Sequence, residues 1–298
     1  MIDKARPATV RDFVEEYGLE RGLRKSSLDN LRFKLNQFAR TIGRESTWGD
    51  FDRMTINRAI AKALETCNPE TVRNFRSALL SLWRGAVEAG YLESPPTRIR
   101  QIKVPAKAPR AWTLPELQKV LAIAGNLRGK VNGSSILRRN FWRAFILVAY
   151  FSGLRFADLR SLRWENISSR GTITVTMEKT GDLLRCQLPS DVQGALALIR
   201  PADISDSPLV FGGSMNACNL QRFFRKRIIK PAGVGGSIKT LRKTGASHVE
   251  AANPGSARGF LGHRSYSLCY RSYVDPNIVQ HRKPTPPKLK WGGKDGAN

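Results

Sequence analysis

Cysteine and histidine are scarce in this 298-residue chain, which has four cysteines and three histidines. No two cysteines form a C-x-x-C pair, and no two histidines stand at the spacing of metal ligands. We therefore expect no zinc site, no other metal centre, no cofactor and no disulfide framework. We interpret the cysteines as the reduced thiols of a cytoplasmic protein.

Long apolar runs are lacking as well. The longest, residues 141–151, is interrupted by Arg143 and falls short of the ~18–20 residues that a membrane-spanning helix needs. The N-terminal Met-Ile-Asp-Lys leads into polar residues without the apolar region of a signal peptide. The sequence therefore predicts neither a membrane protein nor an exported one.

Acidic residues are few relative to basic ones. The chain has 24 Asp and Glu against 50 Lys and Arg, a formal charge of +26. A fold does not need such an excess, which destabilises the compact state by self-repulsion, but a polyanionic partner explains it. Nucleic acid is the first candidate and a membrane surface the second, and the missing apolar runs weigh against the membrane.

The first part of the chain reads as a helical domain, which we place at residues 1–93. Long amphipathic helices are predicted near 26–43 and 68–90, and shorter ones near 9–17 and 54–64. Four basic side chains lie off the apolar stripes of the long helices. With the net charge, they favour a DNA-facing surface over a merely solvated one. They are Arg32, Lys34, Arg73 and Arg76.

A linker, a second domain and a tail follow. Residues 94–110 hold four prolines and five basic residues without an acid, which predicts an interdomain linker along a phosphate backbone, with a plain solvated linker as the alternative. Residues 111–275 form the second domain, mainly helical with one β-hairpin built from 172–177 and 184–188. We interpret 276–298, rich in Pro, Gly and Lys, as a mobile tail.

Four short segments of the second domain carry candidate chemistry. Each has an ordinary alternative: an exposed ion pair, a solvated turn lysine, a surface cation, a structural histidine or a packed tyrosine. In the first, Asp158 stands three residues after Arg155 and can hold its guanidinium in a fixed orientation. The segments are Gly153-Leu-Arg155-Phe-Ala-Asp158-Leu, the turn Glu178-Lys179-Thr180-Gly181, Lys239-Thr-Leu-Arg242, and Leu261-Gly262-His263 with Tyr273 ten residues later.

Taken in order, these segments resemble the tyrosine recombinase (phage integrase) family. That family carries G-L-R-x-x-E/D-L, a hairpin Lys, H/K-x-L-R, L-G-H and a C-terminal Tyr. The resemblance covers nearly the whole chain, because the N-terminal helical unit and the linker are similar to the family's core-binding domain. The probability that five motifs agree in order and spacing by chance is very small.

The resemblance implies a fold, a reaction and partners. The fold is mainly α with a small antiparallel hairpin, in two domains that grip double-stranded DNA, and no arm-binding domain precedes the pattern that starts by residue 9. The reaction cuts and rejoins DNA through a covalent 3′-phosphotyrosine without metal or ATP. The partners are double-stranded DNA and further copies of the same chain, which form a synaptic tetramer on it. The resemblance implies no small-molecule substrate.

The resemblance also implies roles for six residues. Two arginines bind the phosphate, two further groups donate hydrogen bonds to it, a lysine protonates the leaving 5′ oxygen, and a tyrosine attacks. In that order they are Arg155 and Arg242, His263 and Lys239, Lys179, and Tyr273.

Two departures from the family pattern leave alternatives open. Lys239 stands where His is commoner, and the nucleophile is ten residues after His263 where nine is usual, which leaves Tyr270 and Ser272 as competitors of Tyr273. Two other functions also remain as alternatives: relaxation of DNA by a type IB topoisomerase, and DNA binding by a protein with a decayed site.

Overall fold

The structure, a computed structural model, describes residues 7–205, 208–212 and 216–279. The chain divides into two compact units, residues 1–106 and 107–298. Within the described ranges, no helix is both long and apolar enough to cross a membrane.

The first unit is built from four helices around one apolar core. Its helices begin where the sequence provides caps: Thr9 and Asp12 form a capping box, and the Asn68 side chain accepts the N–H of Thr71 at 2.9 Å. The second helix ends at Gly43, whose φ of 83° favours glycine. The helices are α1 (Val10–Glu20), α2 (Lys25–Ile42), α3 (Arg53–Thr66) and α4 (Pro69–Glu88).

The basic side chains predicted to face DNA all have partners within the chain. Arg32 donates to Glu15 at 2.7 Å, Arg73 pairs with a carboxylate one turn earlier, and Arg76 donates to main-chain carbonyls of the linker. Lys34 is only 7% exposed, so the prediction that it lies on an open surface is wrong. Its ammonium donates to the side-chain amide oxygen of Gln37, one helical turn later. The exposed ion pairs are weak, about 0–1 kcal/mol each, so phosphate can compete for those arginines.

The beginning of the predicted linker, residues 94–110, packs on the first unit. The Trp83 indole donates to the carbonyl of Ser94 at 2.7 Å, and the N–H of Arg100 donates to Asn57 at 2.8 Å. The described residues that follow Arg100 belong to no helix or strand until residue 114. That this segment runs along DNA stays a prediction.

The second unit is helical with one hairpin, and its core surrounds a central helix. That helix, α6, is apolar on most of its surface and packs against α5, α8 and α10, which explains why Trp142 and Phe145 are fully buried. The helices are α5 (Leu114–Gly125), α6 (Arg138–Ser152), α7 (Phe156–Ser161), α8 (Ser190–Ala197), α9 (Ala217–Phe223) continued by a π-helical segment (Phe224–Ile229), α10 (Ile238–Ala252), α11 (Ala257–Leu261) and α12 (Tyr266–Tyr273).

Two antiparallel strands form the hairpin predicted from the alternating residues. They are β1 (Thr172–Thr176) and β2 (Leu183–Gln187), with Thr172 opposite Gln187 and Thr176 opposite Leu183. The predicted fold class, mainly α with a small antiparallel hairpin, is confirmed.

The chain after α12 is packed against the second unit for a short distance. Residues 276–279 form a turn, and Val279 is 5% exposed in a small apolar cluster with Cys269 and Val274. The remainder of the predicted tail, residues 280–298, lies outside the described residues, as does His281.

Candidate active site

The four motif segments meet around one open cavity of about 530 Å³ in the second unit. Arg155, Lys179, His263 and Tyr273 line it. Arg242 lies behind this wall, 5% exposed, and touches His263 and Tyr273. The structure therefore brings together five of the six predicted site residues.

Arg155 is placed by the end of α6. The helix ends at Gly153, which has a φ of 60°, and a Cβ there would lie 2.6 Å from the ring of Phe260. The chain turns sharply and presents Arg155 at the start of α7. Its guanidinium donates to the sulfur of Met177 at 3.1 Å and approaches Nε2 of His263 at 3.4 Å.

Asp158 has a second partner besides the one expected. Its carboxylate is 3.9 Å from the Arg155 guanidinium but accepts the main-chain N–H of Glu178 at 3.0 Å. Because Asp158 is 4% exposed, this buried bond fixes the chain where it enters the hairpin turn. Asp158 therefore orients the segment that carries Lys179 more than it orients Arg155.

Lys179 lies in the turn between β1 and β2, exposed at the rim of the cavity. The turn is closed by the N–H of Met177 donating to the carbonyl of Asp182 at 2.9 Å. The Asp182 carboxylate also accepts from Arg264 at 2.9 Å, which ties the turn to the loop after His263. Sequence reasoning did not find this tie, because the two residues are 82 positions apart.

Arg242 is a buried cation held by helix ends. It donates to the carbonyls of Gly153, which ends α6, and of Leu261, which ends α11, the latter at 3.1 Å. Carbonyls at helix C-termini carry partial negative charge and so stabilise a guanidinium. Burial lowers the pKa of Arg242 to about 10 while the neighbouring Tyr273 raises it, so Arg242 stays positive at neutral pH.

His263 is neutral in this cluster. Burial, followed by the charges of Arg242 and Arg155, lowers its pKa to about 4. Its Nε2 accepts from Arg242 at 2.9 Å, so the proton of the neutral ring is assigned to Nδ1 from the hydrogen-bond pattern. Nδ1 of His263 and Nε of Arg242 are buried without a hydrogen-bond partner among the described residues.

Tyr273, the last residue of α12, is the tyrosine that reaches the cluster. Its ring lies edge-on to His263 at 5.0 Å between centroids, and Cζ of Arg242 lies 5.0 Å from its ring centre. Among its competitors, Ser272 lines the cavity as well. Tyr270 is not among the residues that line the cavity; it packs against the small apolar cluster beside α11, where burial and Glu250 raise its pKa.

Lys239 is not brought to the cavity. It is exposed in the first turn of α10, and it is absent from the residues that line the cavity. Three residues on, Arg242 is 5% exposed, so the two cations of this segment lie in different surroundings although they are close on the helix. The role predicted for Lys239 stays a prediction.

Metal ligands are not gathered anywhere in the described ranges: no group of three or more His, Cys, Asp or Glu side chains could hold an ion. The cavity instead combines three cationic side chains with a phenol and a neutral imidazole. Such a set can bind an anion such as a phosphodiester and can attack it with an oxygen nucleophile.

Known proteins resemble this chain in sequence and in fold. Tyrosine recombinase XerC of Xanthomonas campestris pv. campestris (strain B100) is 26% identical over 272 residues, which cover 86% of this chain and 80% of the relative. No family model matches the chain. A lambda integrase tetramer bound to a Holliday junction matches with a TM-score of 0.71 and 18% identity, covering 94% of this chain and 79% of that one. XerH site-specific recombinase bound to palindromic difH substrate, in a post-cleavage complex, matches with 0.64 and 18% identity, covering 88% and 80%.

The solved structures define the class of fold, which is that of the tyrosine recombinases. With the match to XerC, the resemblance predicted from the five motifs is confirmed. The chain is therefore similar to the tyrosine recombinases both in sequence and in fold.

Proposed function

We propose that this recombinase cuts and rejoins double-stranded DNA through a covalent 3′-phosphotyrosine on Tyr273. One observation carries the proposal: the Tyr273 ring packs against His263 and Arg242. Nε2 of His263, which accepts from Arg242, is also approached by the guanidinium of Arg155. A nucleophile and two phosphate-binding guanidiniums are thereby gathered at one cavity.

The two arginines are suited to stabilise the transition state. Negative charge grows on the non-bridging phosphate oxygens, and guanidiniums already fixed in position stabilise it without reorganisation. Arg242 is fixed by two helix-end carbonyls, and Arg155 by the sulfur of Met177. The arginines thus take the place that Mg²⁺ has in many phosphoryl-transfer enzymes.

The chemical step exchanges one phosphate ester for another. The Tyr273 oxygen forms a bond to phosphorus, the bond from phosphorus to the 5′ oxygen breaks, and Lys179 at the rim donates a proton to the departing oxygen. The phenol proton passes to solvent water as the bond to phosphorus forms, and the nearby cations Arg155 and Arg242 stabilise the negative charge that develops. Because the phosphotyrosine conserves the ester bond, rejoining by the reverse reaction needs no ATP.

The test of this function is a covalent trap. A nicked DNA substrate loses the short strand after cleavage, so the phosphotyrosine cannot be reversed and a protein–DNA adduct accumulates. We expect the adduct in excess EDTA at the same rate as with Mg²⁺, measured on a denaturing gel. An adduct that needs Mg²⁺ would point to a nuclease-type mechanism, and no adduct under either condition would leave a DNA-binding protein without catalysis.

Lys179, rather than Lys239, is expected to protonate the leaving group. Lys179→Ala should slow cleavage by about 100-fold or more. A substrate whose leaving 5′ oxygen is replaced by sulfur should restore the rate, because a thiol with a pKa near ~8.5 departs without a proton. Single-turnover rates on both substrates measure the effect.

The matched control is Lys239→Ala, which also removes one lysine from the second unit. Rescue of Lys239→Ala by sulfur, with none for Lys179→Ala, would reverse the assignment. If sulfur rescues Lys179→Ala and not Lys239→Ala, the role that remains for the exposed Lys239 is a contact to the DNA backbone.

We infer the partners from the relatives and the charge. The lambda integrase structures are a dimer on a core site and a tetramer on a Holliday junction. We propose that this chain likewise assembles on DNA as a homo-oligomer, a synaptic tetramer during exchange, and acts in the cytoplasm. The charge of +26 supports extensive phosphate contact, to which the basic first unit and linker contribute.

A further inference from the structure

The short helix that carries Tyr273 is attached to α10 at both of its ends. Two fully buried polar residues of α10, Ser247 and Glu250, make the attachments. They are three positions apart and therefore lie on one face of α10, the face that α12 covers. Arg242 lies on the same helix, so one element carries both a phosphate-binding residue and the supports of the nucleophile.

Glu250 joins three helices through its carboxylate. One oxygen accepts the N–H of Gly255 and the hydroxyl of Tyr266, both at 2.8 Å, and the other accepts the N–H of Ala257 at 2.9 Å. Ala257 begins α11 and Tyr266 begins α12, so the carboxylate holds both helix starts to the end of α10. The bond to Glu250 raises the pKa of Tyr266 to about 12, which keeps its hydroxyl protonated as the donor.

Ser247 holds the other end of α12. Its hydroxyl donates to the carbonyl of Tyr273 at 3.3 Å and accepts the N–H of Asp275 at 2.9 Å. The Asp275 carboxylate in turn accepts the N–H of Ala111 at 2.7 Å. The main chain is therefore fixed on both sides of Val274, immediately after the tyrosine.

Side-chain packing holds this helix only in part, through Cys269 and the partly buried Tyr270 and Tyr273. The helix is eight residues long, and Cys269 is its only buried residue, whereas Leu268 is 49% exposed and Tyr266 42% exposed. A helix of two turns is not stable by itself and depends on tertiary contacts. The hydrogen bonds at its two ends are thus a large part of what fixes its position.

We propose that Glu250 and Ser247 are positioning residues that hold Tyr273 in line with the phosphate, with the Tyr266 hydroxyl as the link to Glu250. This inference rests on the proposed function, in which Tyr273 is the nucleophile. A nucleophile displaced by about 1 Å can lose on the order of 100-fold in rate, since reaction requires near-contact in the correct direction. Loosening either end should therefore slow attack without weakening DNA binding.

Tyr266→Phe is the sharpest test, because it removes only the hydroxyl. We expect single-turnover adduct formation to slow by about 10-fold, with the adduct still on Tyr273. The DNA concentration for half-saturation and the melting temperature should stay at wild-type values. Ser247→Ala should slow adduct formation in the same way from the other end.

The matched control is Tyr150→Phe. The Tyr150 hydroxyl bonds to Nδ1 of His248 on α10 at 2.8 Å, so the variant also loses one tyrosine hydrogen bond to that helix, but one that does not involve α12. We expect a wild-type rate. A purely structural role would change Tyr266→Phe and Tyr150→Phe alike, with the rate following the melting temperature.

The outcomes separate this inference from the proposed function. If wild type forms no adduct, or forms it on another residue, the proposed function fails and this inference with it. If wild type forms the adduct on Tyr273 while both Tyr266→Phe and Ser247→Ala match it in rate, the positioning roles are refuted and the proposed function stands. A loss of rate together with weaker DNA binding would also refute them.

Discussion

Tyr273→Phe is expected to bind DNA with wild-type affinity and to form no covalent adduct. The substitution removes only the hydroxyl that attacks phosphorus, so the rate should fall by at least about four orders of magnitude. The ring, which packs against His263 and Arg242, is retained, and the fold should be unaffected. The nicked substrate measures the adduct, and a binding titration measures affinity.

Two variants of α12 are the controls for this prediction. Tyr270→Phe and Ser272→Ala should both still form the adduct: Tyr270 packs in the apolar cluster, and the shorter side chain of Ser272 reaches less far into the cavity that it lines. Peptide mapping of the wild-type adduct should find the phosphate on Tyr273. A modified Tyr270 or Ser272 would overturn the assignment of the nucleophile while leaving the family unchanged.

Arg155→Ala is expected to lower the cleavage rate by about 1,000-fold or more while DNA affinity changes only a few-fold. Removing one preorganised donor from a transition-state site typically costs about 100- to 1,000-fold, and removing an arginine that neutralises a transferring phosphoryl group can cost more. Arg155 is one of 50 Lys and Arg residues in the chain, but one of two guanidiniums at the cluster. Single-turnover cleavage and equilibrium binding separate the two effects.

Arg242→Ala should lower the rate at least as much, with a loss of stability that Arg155→Ala lacks. Arg242 is buried, and its removal leaves the carbonyls of Gly153 and Leu261 without their donor. Thermal melting therefore accompanies the kinetics. The control is Arg163→Ala, whose guanidinium forms an exposed pair with Glu165 and should leave the rate unchanged. If Arg155→Ala weakened binding and rate equally, that arginine would be an ordinary phosphate contact.

The geometry of the cluster explains why His263 is neutral although it lies in a cationic site. Two guanidiniums and partial burial oppose a third positive charge, so the pKa of His263 is lowered to about 4.

Local sequence predicted the elements of this protein well. The capping residues, the apolar stripes and the hairpin alternation predict helices and strands close to those observed, because these signals act within one or two turns of chain. The order of the five motifs also predicted the resemblance to tyrosine recombinases, which the comparisons bear out. The sequence could not exclude Lys239 from the cavity, because its pattern does not show which face of α10 is buried.

The sequence by itself determined the fold class, the resemblance to tyrosine recombinases, and the residue types that a phosphodiester site needs. The tertiary structure alone decided which groups meet. It turned Asp158 toward the hairpin turn, buried Lys34, and joined Asp182 to Arg264 across 82 residues. It also placed Tyr273, and not Tyr270, at the cavity and against the Arg242 guanidinium, although both lie on α12. The physical reason is that helix and hairpin signals are local, whereas burial and charge neighbours depend on how distant segments pack.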